Sequence, residues 1–181
     1  MASLINYIDR FTELVGRILA WLCLATMLAT VLVVLQRYFF QVGNMVALQE
    51  TVTYLHATVF MLALGWTFKR NGHVRVDVFY RKFSRQTKAW INCLGILVFL
   101  LPFCAFLFFA SLDFVWLSWS IAETSNESGG LPFVYLLKSL IPLMCVLLAL
   151  QAIAEFLRNA CFLCCGSGPR LTDSTEAHQH D

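Results

Sequence analysis

"ILAWLCLATMLATVLVVL", residues 18–35, carries no charge along its whole length. At 1.5 Å rise per residue a helix of this length spans about 27 Å, close to the roughly 30 Å hydrocarbon core of a bilayer. Amides in lipid find no water, so such a run must satisfy its hydrogen bonds internally, as a helix. Its uncharged core exceeds the ~7–15 residues usual for a signal peptide. No small-residue cleavage pattern follows it, only "LQRYFFQVGN". The run is therefore expected to be a retained membrane span.

Outward from it the pattern repeats. A second apolar run covers 51–68, and a third begins at Ala89, reaches Asp113 uncharged and has the length to continue to Ser120. A fourth covers about 131–157, interrupted by Lys138, Pro142 and Glu155. The chain of 181 residues is 59% hydrophobic and 13% charged, with a mean hydropathy of +0.70. That leaves too few polar groups to coat a water-soluble domain. The expected fold is an all-α integral membrane protein of four transmembrane helices, at about 18–37, 51–68, 89–112 and 133–156. Residues 1–17 form an amphipathic leading segment, with Ile5, Ile8, Phe11, Val15 and Ile18 at helical spacing, and 18–158 the membrane domain. Residues 159–181 form a polar tail, whose "CFLCC" lacks the second ligand pair of a zinc site. A net charge of +2 argues against nucleic acid as a partner. Cys23, Cys93, Cys104 and Cys145 sit in apolar runs as small hydrophobes, not a disulfide framework.

Charge sets the direction. Seven of the chain's 13 basic residues lie between Lys69 and Lys88, against one acid, Asp77. The connection after the third run holds Asp113, Glu123 and Glu127 and no base. Short loops rich in Lys and Arg stay in the cytoplasm. The 2–3 connection and both termini are therefore expected inside, with Arg10, Arg17 and Arg158 agreeing and Arg37 dissenting. Trp21, Trp66 and Trp90 fall near the inner border, Trp116 and Trp119 near the outer one.

Direction alone does not require the pattern of "GHVRVDVFYRKFSRQTK", residues 72–88. On a helical count Val76, Phe79, Tyr80, Phe83 and Trp90 share one face and Arg81, Arg85 and Lys88 the opposite one. This suits a helix over 69–88 lying in the cytoplasmic interface, its cations among anionic headgroups. Gly72 is expected to make the bend out of the second span. The plainer reading is a charged loop that only fixes topology.

"RNGHVRVDVFY" after "LALGWTFK", "ALQE" entering the second span and "ETSNESGGLPFVYLLKSLIPL" entering the fourth resemble the small, DctQ-like membrane subunit of tripartite ATP-independent periplasmic (TRAP) transporters. The resemblance covers most of residues 10–158. It implies a scaffold working with a large multi-span subunit, which carries the substrate and sodium sites, and with a periplasmic substrate-binding protein. Organic acids would be the substrates, the bacterial inner membrane the location, and this chain would hold no cofactor and catalyse nothing. His73, Arg75 and Asp77 would form a polar knot with lipid phosphate or the partner subunit. From the residues alone, Arg75 serves the topology signal equally well.

An ionisable group within a membrane invites a functional reading. Lys138 is placed to snorkel outward or to pair with Asp113, Glu123 or Glu127. Glu50 suits the N-terminus of its helix, and His56 suits helix packing. Glu155 and Arg158 read as a solvated i,i+3 pair of little worth. Glu123 and Glu127 are candidates for docking the binding protein, and Ala25 and Ala29 for close helix packing. The alternative function, a haem-binding or other redox anchor, needs two facing imidazoles per haem, and His56 is the one histidine within a span.

Overall fold

The structure, a computed structural model, describes residues 2–40, 46–72 and 83–165. Its helices are α1 (Ala2–Leu35), α2 (Val46–Lys69), α3 (Arg85–Gly95), α4 (Leu101–Ser120) and α5 (Val134–Cys165). A π-helical turn, Gln36–Phe40, follows α1, and another, Ile96–Leu100, joins α3 to α4. Pro102 explains the second. It has no N–H to return to Val98 and its ring crowds that carbonyl, so the chain widens by a residue, with the Leu101 N–H on the Ile96 carbonyl. Four stretches are long and apolar enough to cross a membrane, 3–39, 46–69, 85–120 and 134–164. No strand occurs among the described residues.

The helices run past the edges that charge suggests. α1 takes in the leading segment as one rod of about 51 Å, and its buried face is Ile5, Ile8, Thr12 and Leu19. Phe11 and Ile18, expected on that face, are exposed. A purely apolar count misses Thr12, which is buried because it has a hydrogen-bond partner on α5. The bend after α2 also differs from expectation. Gly72 donates to the Thr67 carbonyl at 2.9 Å and Asn71 to Phe68 at 3.1 Å, and the left-handed residue is Asn71, φ 52°. This is a Schellman ending in which Asn takes the place usually held by Gly.

α5 is the hub, packing against every other helix, while α1 and α2 also pack on each other. Lipid tails are as apolar as leucine, so helices in a membrane associate through close contact of small groups. The core fits that rule: Cys104, Cys145, Ala152 and Ala154 are buried. Gly65 brings α2 so near α5 that a Cβ there would lie 3.3 Å from the Leu147 carbonyl oxygen. At the α1–α2 crossing Gly16 lies beneath the Trp66 indole, and any side chain would collide with the ring. Ala25, expected to make a close contact, is exposed.

Candidate functional site

The polar groups collect in two layers, one at each end of the bundle. In the first, Asp9, Thr12 and Glu13 share one face of α1, being three and four residues apart. Gln151, Glu155 and Arg158 share one face of α5 in the same way. Arg158 donates to Asp9 Oδ2 at 2.7 Å and also pairs with Glu155. Gln151, fully buried, accepts from the Thr12 hydroxyl at 2.8 Å and donates to Asp9 Oδ1 at 3.3 Å. From the end of α2, Lys69 Nζ donates to the Asp9 carbonyl at 2.7 Å and to Glu13 at 3.0 Å. Arg70 reaches the same carboxylate and lies over the Trp66 ring, 5.6 Å from its centroid. The ammonium and guanidinium hold the Glu13 carboxyl below the usual carboxylate range. Three helices are thereby tied at one end.

The Glu155–Arg158 pair is not the solvated pair that spacing alone suggests. Arg158 retains 17% of its side-chain exposure, because α1 brings Asp9 against it. Asn159, fully buried, adds a bond to the Glu155 carbonyl at 2.8 Å. Sequence reading missed Asp9, Thr12, Gln151 and Asn159. The available signal was the matched spacing of polar residues on α1 and α5.

The second layer is built around a connection. Glu50 turns its carboxylate towards 121–133 rather than its own helix end, accepting from the Leu131 N–H at 2.6 Å and from the Ser125 hydroxyl. Ser125 N–H bonds the Leu131 carbonyl at 3.1 Å, closing a small loop with Gly129 at φ 82°. Gly130 must be glycine, since a Cβ would come 2.5 Å from Ser125 Cβ and 2.8 Å from Glu50 Oε1. α4 ends in a second Schellman motif, with Glu123 N–H on Ser118 O at 3.0 Å and Ala122 N–H on Trp119 O at 3.2 Å. Ala122 takes the left-handed position there, φ 44°.

Among the acids proposed for it, Lys138 pairs with Glu123, and its ammonium sits 4.0 Å from the Phe114 ring centroid. That ammonium holds the Glu123 carboxyl below its ordinary range. Asp113 and Glu127 are exposed and have no ion pair among the described residues. Trp119 Nε1 donates to Ser139 at 2.8 Å, fastening α4 to α5. Arg85 and Lys88 occupy the first turn of α3, after the Ser84 cap. His73, Arg75, Asp77 and Arg81, with most of the expected interfacial helix and the tail from 166, lie outside the described residues.

The layers are a bilayer apart: Lys138 to Arg158 along α5 is about 30 Å, and Glu50 to Lys69 along α2 about 28 Å. Between them the buried residues include Gly65, Cys104, Cys145 and Leu148. Ser111, also buried, returns its hydroxyl to the Phe108 carbonyl. No cluster of metal-ligating side chains occurs among the described residues, where His56 is the one histidine.

None of the curated proteins and none of the solved structures matches this chain. A family model does, the DctQ component of tripartite ATP-independent periplasmic transporters, over residues 26–162. That range takes in most of the four membrane-length helices and most of both polar layers, and it agrees with the resemblance read from the motifs. The chain belongs to the DctQ component family of tripartite ATP-independent periplasmic transporters.

Proposed function

We propose that this chain is the small, non-catalytic scaffold of a TRAP-type secondary transporter for uptake of organic acids. In this reading it anchors a large membrane subunit, which carries the substrate and the coupling sodium, and serves a periplasmic binding protein. The chain itself holds no cofactor. One observation carries the reading. Polar side chains that bond between helices gather in two layers about a bilayer apart, while small and apolar residues pack between them. A carrier needs polar groups near mid-membrane to receive its substrate and ion; a scaffold needs its helix ends tied.

The layer with Lys69, Arg70 and Arg158 faces the cytoplasm of a bacterial inner membrane, as the Lys and Arg excess of 69–88 requires. Arg85 and Lys88, in the first turn of α3, belong to that excess. His73, Arg75 and Asp77 serve assembly with the large subunit. On the periplasmic side Glu123 is committed to Lys138, which leaves exposed Glu127 as the acid offered to the binding protein.

Affinity purification of the full chain from native membranes tests the reading. A large multi-span protein should accompany it, in reduced amount for Arg75→Ala and Asp77→Ala. Recovery of the chain alone from gently solubilised membranes would overturn the scaffold role.

A further inference from the structure

A groove of about 380 Å³ opens between α1 and α2 near the end that holds Lys69 and Arg158. Leu19, Cys23, Val59 and Ala63 line its length, while Glu13 and Arg17 line its charged end. From Glu13 to Cys23 it follows α1 for about 15 Å, from the level of the Lys69–Glu13 tie into hydrocarbon. Spread over that length, the volume leaves a mean cross-section of about 25 Å². A helix about 10 Å across needs roughly three times as much, whereas a single acyl chain fits. Apolar walls with one charged end suit an amphipath lying along the helices.

The sign of the charge follows from the ion pairs. At this end of the bundle Asp9, Glu13 and Glu155 each meet a base, drawn from Lys69, Arg70 and Arg158. Arg10 and Arg17, both exposed, have no ion pair among the described residues. The acids are therefore already matched, and the cation left over in the groove is Arg17. A further groove of about 370 Å³, beside α3, ends on Asn92 and Glu155 and has no base in its lining. Apolar space alone does not single out the first groove; the unpaired guanidinium does.

We propose that the α1–α2 groove holds one anionic phospholipid, its phosphate on the Arg17 guanidinium and one acyl chain along Leu19, Cys23, Val59 and Ala63. A guanidinium meets a phosphate through two parallel N–H bonds, and the surplus of positive charge favours a net negative headgroup over a zwitterionic one. A second copy of the chain, meeting this face across a two-fold axis, would set Arg17 against Arg17. The site is independent of the scaffold role, since it concerns what this chain binds on its own.

Native mass spectrometry of the full chain, with any protein that co-purifies, tests the site. The delipidated sample is titrated with phosphatidylglycerol, phosphatidylethanolamine or inorganic phosphate. One phosphatidylglycerol should persist at collision energies that strip phosphatidylethanolamine. Arg17→Gln should lower its retention about fivefold. Ala20→Phe, at an exposed wall position, fills the groove with Arg17 intact and should lower retention at least as much. Arg10→Gln removes the same charge outside the groove and should change retention by less than about twofold. Equal losses for Arg10→Gln and Arg17→Gln would reduce the effect to diffuse surface attraction and overturn the site. Equal retention of the two lipids, displacement by inorganic phosphate, or wild-type binding by Ala20→Phe would overturn it as well. Lipid missing whenever a second protein co-purifies would assign the groove to that protein instead.

Discussion

The two ends of the bundle solve different problems with the same residue types. At the inner end, the one proposed to face the cytoplasm, charges far apart in sequence meet directly: Asp9 with Arg158, 149 residues on, and Glu13 with Lys69, 56 residues on. At the outer end most ties are local, Lys138 to Glu123 across 15 residues and Trp119 to Ser139 across 20. Glu50 alone among these reaches far, and it grips backbone and a hydroxyl rather than a cation. The inner layer fixes helices against one another; the outer layer fixes the shape of a connection. The proposed scaffold role uses the first to hold a partner still and the second to be met by a soluble protein.

The contrast breaks most readily at Arg158. Arg158→Ala leaves Asp9 and Glu155 facing each other half-buried and uncompensated, and should cost about 3 kcal/mol in the unfolding free energy of the purified chain. Lys138→Ala, in the more local outer pair, should cost distinctly less; equal losses would erase the distinction between the ends. Next in size is Glu50→Ala, which frees the Leu131 N–H and the Ser125 hydroxyl at a cost of about 1–3 kcal/mol. Hydrogen exchange should rise at Ser125 and Leu131 while the amides of α1 stay protected. Exchange spreading into α1 would mean that the outer layer also holds the helices.

Acid provides a graded test. The Glu13 carboxyl titrates below its ordinary range because Lys69 and Arg70 donate to it. A depressed carboxylate contributes stability that is complete above its unfolded value and is lost as pH falls through the folded one. Acidification through the carboxylate range should therefore lengthen the α1–α2 distance between spin labels at the inner end. Glu123, depressed by Lys138, should release only the start of its connection over the same range. The smallest effect is expected at Ala122, where glycine relieves a left-handed alanine, and Ala122→Gly should gain about half a kcal/mol in thermal unfolding.

The number of membrane helices was readable because an uncharged run of bilayer length has few other stable forms. The edges were less so. Charge marks where lipid ends, but α1 continues as a helix through Asp9 and Glu13, since nothing in "NYIDRFTELVGR" breaks it. Thr12 and Gln151 stayed hidden because a lone polar residue on a helix gives no sign of a partner 139 residues away. Gly72 drew attention from Asn71, whose side chain also tolerates the left-handed region, and alanine at 122 carries no turn signal at all. Lys138 was legible as a residue that either snorkels outward or pairs with one of three acids, and it pairs with Glu123. Which of three acids it takes depends on how the chain leaves α4, and that is set by backbone bonds at Ala122 and Glu123.

Solute flux through liposomes that contain this chain and no other protein tests the central claim most directly. With inward sodium and proton gradients and a panel of small carboxylates outside, uptake should equal that of empty vesicles, and should appear only when the large subunit and the binding protein are added. Gradient-dependent uptake by the chain alone would contradict the scaffold role.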